Sequence, residues 1–358
     1  MRITFLLPGD GASGGTRVTM QMANCLLERG HTVRIAYRRP LLLSRKRLLS
    51  LARSVTYRLR GLSETRWLSW FKGCKETFIT LKDLQFAERE VIIGTGPGTI
   101  PELRRLNGNV LKLGYCHGLM DSEKEIWRGL DTITVSPVHV PTLEQDCQAR
   151  VWGVVPNGIS PEEYFVEQKF RDGVGFIFGR HFVKGPEVAI SLARALHNTF
   201  PETPCYVFGA DRPLTSLVRC EYTRFPSVNQ ARAIYNKCKI WLVTSRAEGF
   251  CLPILEAMAC GCAVVSSRHT NAAELIQDGV NGFTVPYGDV KAYMKYIGQL
   301  LTDESLRRRL VQQGFKTVKR YPWSEAANRM EEALTALSAV GVVKQREASP
   351  RLETHGSY

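Results

Sequence analysis

The chain has no apolar run that approaches the length of a membrane span, which excludes a helical integral membrane protein. The run from Ile3 to Leu7 is also too short for a signal-peptide core, so the expected location is cytoplasmic. Ten cysteines are present, but there is no CxxC and no Cys/His ligand spacing, and Cys260-x-Cys262 is the only close pair. No metal site is expected, and the cysteines read as buried free thiols. Acid is scarce: 34 Asp and Glu stand against 48 Lys and Arg, a net charge of +14. From Arg38 to Arg60 there are eight basic residues and no acidic one. Charge of one sign focused on one segment points to a polyanionic partner. No recognised nucleic-acid module accompanies it, which favours an anionic membrane surface over nucleic acid.

What is present suits a soluble globular protein of two domains: 358 residues, 44% hydrophobic and 23% charged. Ile3–Leu7 followed by Pro8-Gly9 marks a buried parallel strand. Val18, Met22, Leu26 and Leu27 recur at helical spacing over residues 16–29, and Gly30 supplies a C-terminal stop. With a strand at 32–37 this opens a βαβ unit, and further strands are expected at 91–93, 111–115 and 132–135. Pro156-Asn-Gly-Ile-Ser-Pro161 reads as a break. Strands at 175–178, 205–208, 240–243 and 263–266 then alternate with helices at 186–198, 228–238 and 253–259. The expected organisation is a first α/β domain over 1–160, a second over 161–324, a helix over 325–338, and a disordered tail over 344–358.

The most informative stretch runs from Arg246 to Val265. Pro253 suits a helix start, because its missing N–H costs nothing there, and Glu256 then falls on the first turn. Gly249 lets the backbone approach a ligand, and the free amides of the helix start face the same space, so Glu248 and Glu256 bracket an anion site. Sugar hydroxyls, a diphosphate and a ribose would satisfy such a site. The same two glutamates equally read as a loop end and a helix-dipole acid. Gly179-Arg180 and Lys184-Gly185 follow a strand and precede a helix, a place where two cations can hold a diphosphate or remain solvated surface charges. His117 lies just past a first-domain strand, on the edge where α/β proteins build sites.

The first glycine turn matches two patterns by letter. Gly9-x-Gly11-x-x-Gly14 is the dinucleotide fingerprint, but Tyr37-Arg38-Arg39 replaces the usual ribose-binding acid, leaving an NADP-dependent reductase as the alternative. Gly11-x-Ser13-x-Gly15 resembles a nucleophile elbow, although only one strand precedes it. Both matches share one physical content: Gly14 and Gly15 at a helix start admit a phosphate or sugar. The basic segment 41–72, wound at helical pitch, puts Leu48, Leu51, Ala52, Val55, Leu59 and Leu62 on one face, with Lys46, Arg47, Arg53, Arg58 and Arg60 on its flanks or opposite it. Trp67, Trp70 and Phe71 follow. This pattern suits a helix lying in the membrane surface, or an ordinary helix with a solvated charged face.

Taken in order, Gly14-Gly15, Pro156-Asn-Gly158, Gly179-Arg180 with Lys184-Gly185, Glu248-Gly-Phe with Pro253 and Glu256-Ala-Met-Ala-Cys-Gly261, and Asn281-Gly282 make the chain similar to the retaining GT-B glycosyltransferases of family 4 (group 1). The resemblance spans about residues 1–338 and is weakest over 41–110. It implies an α/β fold of two Rossmann-like domains facing across a cleft, and transfer of a sugar from a UDP-, GDP- or dTDP-sugar to a hydroxyl acceptor without a metal or other cofactor. The lack of any Asp-x-Asp agrees with that. It further implies that Glu248 and the amides of Gly249, Phe250, Cys251 and Leu252 hold the donor, that Glu256 takes the ribose, and that Arg180 and Lys184 take the diphosphate. By the same token Gly14 and Gly15 approach the diphosphate and His117 lies near the reacting sugar. Two departures stand out: Thr270-Asn-Ala-Ala-Glu274 where many members have a Gly-Gly pair before Pro-Glu, and Cys251 in place of a commoner glycine. With the basic segment, the expected role is assembly of a lipid-linked or membrane-proximal glycan or polysaccharide by a protein peripheral on the inner membrane face. The alternatives are the reductase and a non-catalytic homologue that binds nucleotide sugars.

Overall fold

The computed structural model describes residues 1–9, 14–38, 71–78, 80–167, 170–211, 219–268 and 271–348. They form two compact units, Met1–Val155 with Ser324–Tyr358, and Pro156–Trp323. The basic segment read as a membrane-surface helix falls almost wholly on residues 39–70, outside the described residues. Phe71, at its end, is described, and it is buried in the first unit with Lys75 over its ring, so it is no headgroup anchor.

In the first unit the strands are β1 (Arg2–Leu7), β2 (Thr32–Arg38), β3 (Cys74–Phe78), β4 (Val91–Gly94), β5 (Leu111–Cys116), β6 (Asp131–Thr134) and β7 (Arg150–Val154). They join in the order β3-β2-β1-β4-β5-β6-β7, every neighbouring pair parallel. Helix α1 (Gly14–Glu28) ends as the sequence predicts. Gly30 takes φ +85°, and its amide and that of His31 donate to the carbonyls of Leu27 and Leu26, a Schellman closure. Two short helices, α2 (Ile100–Arg105) and α3 (Lys124–Trp127), cover the far side.

The second unit repeats the plan. Its strands β8 (Gly173–Ile177), β9 (Cys205–Gly209), β10 (Cys220–Arg224), β11 (Cys238–Val243), β12 (Ala263–Ser267) and β13 (Phe283–Val285) lie in the order β10-β9-β8-β11-β12-β13, again all parallel. Helices α4 (Pro186–Thr199), α5 (Val228–Lys237), α6 (Leu252–Ala259), α7 (Ala272–Leu275), α8 (Val290–Thr302) and α9 (Glu304–Val318) flank it. In both sheets the strand order reverses beside the first strand, at β1/β4 and β8/β11, and such a switch point opens a crevice at the carboxyl ends of the strands.

The last helix, α10 (Trp323–Ala348), belongs almost entirely to the first unit. Its buried stripe is Ala326, Ala327, Met330, Ala333, Leu334 and Leu337, and the Ser324 carbonyl accepts from Arg29 while Glu331 meets both Arg29 and His31. It runs past Val343, so residues 344–348, expected in the tail, are helical: Lys344-Gln-Arg-Glu-Ala348 are good helix formers, and Pro350 follows. Residues 349–358 lie outside the described residues.

Candidate active site

The second unit builds its site from two loops at the β8/β11 switch point. The first, after β8, runs Phe178-Gly-Arg-His-Phe-Val-Lys-Gly185 into α4. Two glycines shape it. A Cβ at Gly179 would come within 3.2 Å of the Lys184 side chain. Gly185 has φ +61°, and a Cβ there would lie 2.1 Å from the Thr244 carbonyl oxygen, so conformation and space both demand glycine. The second loop follows β11, and the two are joined by hydrogen bonds. The Arg246 amide donates to the Val183 carbonyl at 2.7 Å, and Thr244 Oγ1 donates to the Lys184 carbonyl at 3.0 Å.

This joint sets two opposite charges together. Lys184 Nζ donates to Glu248 Oε1 at 2.7 Å, and Ser245 Oγ donates to the same oxygen at 2.6 Å. The carboxylate side chain is 13% exposed and the lysine 39%. Burial pulls the Lys184 ammonium down, but the charge and hydrogen bond of Glu248 outweigh it and hold the group above its ordinary range. The lysine is therefore charged at neutral pH, with donors left for an incoming anion. Both side chains line a pocket with Ile177, Thr244, Ser245, Cys251 and Pro253, floored by Trp241.

Behind the pocket, three buried side chains grip the backbone of the second loop. Tyr293 donates to the Val243 carbonyl, Ser267 to that of Ser245 and Asn271 to that of Phe250. The Phe250 ring packs edge-on against Tyr321, at 5.7 Å. Cys251, buried, takes φ +68° as the residue before α6, which explains why glycine suits this position and why a cysteine there carries backbone strain of about 1 kcal/mol. Burial, then the nearby Glu248 carboxylate, pushes its thiol well above the usual range.

Two details differ from the sequence reading of this element. Helix α6 starts at Leu252, so Pro253 is its second residue and Glu256 stands on the second turn, not the first. Glu256 is 5% exposed and accepts a 2.8 Å hydrogen bond from the buried Tyr235 hydroxyl. Arg180 is on the outer part of the first loop: its side chain is exposed, its amide donates to Asp211 Oδ2 at 2.7 Å, and it does not line the pocket that Lys184 and Glu248 share.

Residues 176–317 match the family described as Glycosyl transferases group 1. Over that stretch the chain is similar to the group 1 glycosyl transferases. That stretch includes both loops and every side chain that grips them. Among curated proteins, the D-inositol 3-phosphate glycosyltransferase of Corynebacterium urealyticum is 27% identical over 46% of this chain and 43% of its own length. The serotype-specific mannosyltransferase WbdA of Escherichia coli is 33% identical over 32% of this chain and 14% of its own. The match thus spans less than half the length of either relative. Among solved structures, S. aureus TarM in complex with Fondaparinux, alpha-GlcNAc-glycerol and UDP superposes with a TM-score of 0.74 at 11% identity, over 93% of this chain and 100% of that one. Anabaena Alr3699/HepE in complex with UDP-glucose gives 0.68 at 17% identity, over 94% and 100%. At such identities the likeness is one of fold, and the fold is GT-B.

Of the residues singled out by sequence, the second unit brings Lys184, Glu248 and Cys251 to one pocket, with Gly249 and Phe250 in the loop between and Leu252 opening α6. Thr244, Ser245, Ser267 and Tyr293 were not anticipated, and Asn271 was marked only as part of the departing stretch Thr270–Glu274. Thr244-Ser245 directly after an apolar strand was the one available signal, and the others act across distances in sequence that no local pattern reveals. In the first unit Gly14 and Gly15 open α1, and residues 10–13 before them lie outside the described residues. His117 follows β5 and packs against Tyr115 with ring centroids 4.1 Å apart and the planes tilted by 42°. Burial holds its pKa down, at about 4. The buried His117 Nε2 and Tyr115 hydroxyl have no hydrogen-bond partner among the described residues. Arg38, which the reductase reading would turn toward a phosphate, is instead paired with Glu102.

No group of three or more His, Cys, Asp or Glu among the described residues is placed to hold a metal ion. No helix among them is long and apolar enough to cross a membrane.

Proposed function

We propose that the chain is a retaining glycosyltransferase that moves a sugar from a nucleoside-diphosphate sugar to a hydroxyl acceptor. One observation carries the reading: a charged lysine and a largely buried glutamate share a pocket at the switch point of the second unit. The ammonium answers the diphosphate, whose charge grows as it leaves, so Lys184 stabilises the transition state more than the ground state. Glu248, fixed by Ser245 and Lys184, offers its carboxylate to sugar hydroxyls. Arg180 adds charge at the outer loop, the amides of Gly249 to Leu252 meet the donor at the start of α6, and Gly14-Gly15 supply a second phosphate approach. Glu256 takes the ribose in this reading, which requires its bond to Tyr235 to yield on binding. His117, neutral at physiological pH, receives a substrate hydroxyl. Departure of the diphosphate leads, and the leaving phosphate takes the acceptor proton.

The acceptor we propose is lipid-linked or lies at the inner membrane face, as in glycolipid or polysaccharide assembly. The basic amphipathic pattern of residues 41–72 supports it. Floating the protein on anionic vesicles, with and without Arg53, Arg58 and Arg60 changed to Gln, tests this part: retention by the variant would place the contact elsewhere.

A thermal-shift panel of UDP-, GDP- and dTDP-sugars against NADPH tests the donor class. One nucleotide sugar should raise the melting temperature strongly, and stabilisation by NADPH alone would replace the transferase with the reductase. Slow release of free sugar from that donor separates a working enzyme from a homologue that only binds.

A further inference from the structure

Far from the pocket, Cys205 and Cys220 are the first residues of β9 and β10 and register partners across that parallel pair. Their sulfurs lie 3.0 Å apart, about 1 Å beyond an S–S bond of ~2.0 Å. Neighbouring strands are about 4.8 Å apart, within the ~4.4–6.8 Å Cα separation that disulfides span. Ordinary strand spacing therefore lets side-chain rotation bring the two sulfurs into bonding distance. Both residues are partly exposed, and β10 is an edge strand, which leaves a side open to small oxidants. Six of the other cysteines are buried, Cys25 is partly so, and Cys74 is exposed.

We propose that Cys205 and Cys220 are a reversible dithiol–disulfide pair, a modification site for hydroperoxides. The thiolate sulfur of one attacks the peroxide O–O bond, forming a sulfenic acid and releasing alcohol or water. The second sulfur attacks the sulfenic sulfur, expelling water: two thiols and one peroxide become one disulfide, one alcohol and one water. The contact between the sulfurs favours Cys220 as the attacking thiolate, since hydrogen bonding to Cys205 holds its pKa below the ordinary value.

The bond would tie β10 to β9 at the ends opposite the site. From the other end of β10, Tyr222 donates to the Asp211 carbonyl at 2.6 Å and Arg224 to the Ala210 carbonyl at 3.0 Å, holding the turn whose carboxylate anchors the Arg180 amide. Oxidation would thus brace the strand pair under the outer loop.

The inference is independent of the transfer reaction. The reduced, intact protein is treated with about one equivalent of hydrogen peroxide, alkylated, digested and mapped by mass spectrometry. Alkylatable thiols should fall from ten to eight, with a linked Cys205–Cys220 peptide about 2 Da lighter than its two reduced parts, restored by dithiothreitol. Cys220→Ser and Cys205→Ser should each abolish the linked peptide. Full alkylation of both cysteines at a dose that oxidises Cys74 would overturn the proposal, as would a paired loss of thiols that persists in either variant.

Discussion

The two units share one strand order and place polar groups at corresponding ends of their sheets, but the chemistry there is opposite. In the second unit the groups are charged and satisfy each other: Lys184, Ser245 and Glu248 meet within 2.7 Å. In the first unit they are neutral and unsatisfied, with His117 Nε2 and the Tyr115 hydroxyl both buried without a partner among the described residues. Duplicating a scaffold therefore does not duplicate a site. One copy holds a charged pair at its strand ends, while the other keeps an imidazole uncharged.

Removing the charge from the second unit should do the most damage. Lys184→Ala is expected to lower turnover by about 10²-fold or more, read as initial rate with the donor found by thermal shift; an unchanged rate would take Lys184 out of the chemistry. Next comes the neutral imidazole. The folded protein keeps His117 uncharged down to about pH 4, whereas the unfolded chain protonates it near 6.5, so stability is full above that value and lost as pH falls from about 6.5 to 4. Allowing for the part of the ring that meets solvent, the loss is on the order of 2 kcal/mol. Denaturant titrations of wild type and His117→Asn across that window measure it, bearing in mind that His139, similarly depressed by burial to about 4, contributes to both. Equal slopes in the two proteins would refute the assignment.

Smaller effects test the supports of the charged site. Tyr235→Phe removes the hydrogen bond to buried Glu256 and should cost about 1–3 kcal/mol in urea unfolding. If Glu256 also meets the ribose, Glu256→Gln should weaken donor binding beyond its effect on stability, and equal affinity would leave it a structural role only. Smallest is the backbone strain at Cys251: Cys251→Gly should be more stable than Cys251→Ala by about 1 kcal/mol, because only glycine relaxes at φ +68°.

How much of this was legible in the sequence follows from burial. Several interior strands are apolar runs buried on nearly every residue, such as Ile3-Thr-Phe-Leu-Leu7 and Val91-Ile-Ile-Gly94, and they were readable as such. The four strands not anticipated, β3, β7, β10 and β13, are the four sheet edges. Cys74-Lys-Glu-Thr-Phe78 and Cys220-Glu-Tyr-Thr-Arg224 meet solvent along much of their length and read as polar, and β13 has only three residues. Helices α8 and α9 also went unmarked: the buried stripe of α8 is only Tyr293, Ile297 and Leu300, and Gly314 and Thr317 interrupt that of α9. At the site, the charged residues announced themselves through spacing beside glycines. Asn271 and Tyr293 did not, because 21 and 50 residues separate them from the carbonyls they hold.

The fit of Gly185 against the Thr244 carbonyl has a reach beyond local packing. A side chain at that point would act as a wedge, driving apart the lysine-bearing and glutamate-bearing segments at once. Any change in the pocket that keeps this fold must therefore leave residue 185 a glycine.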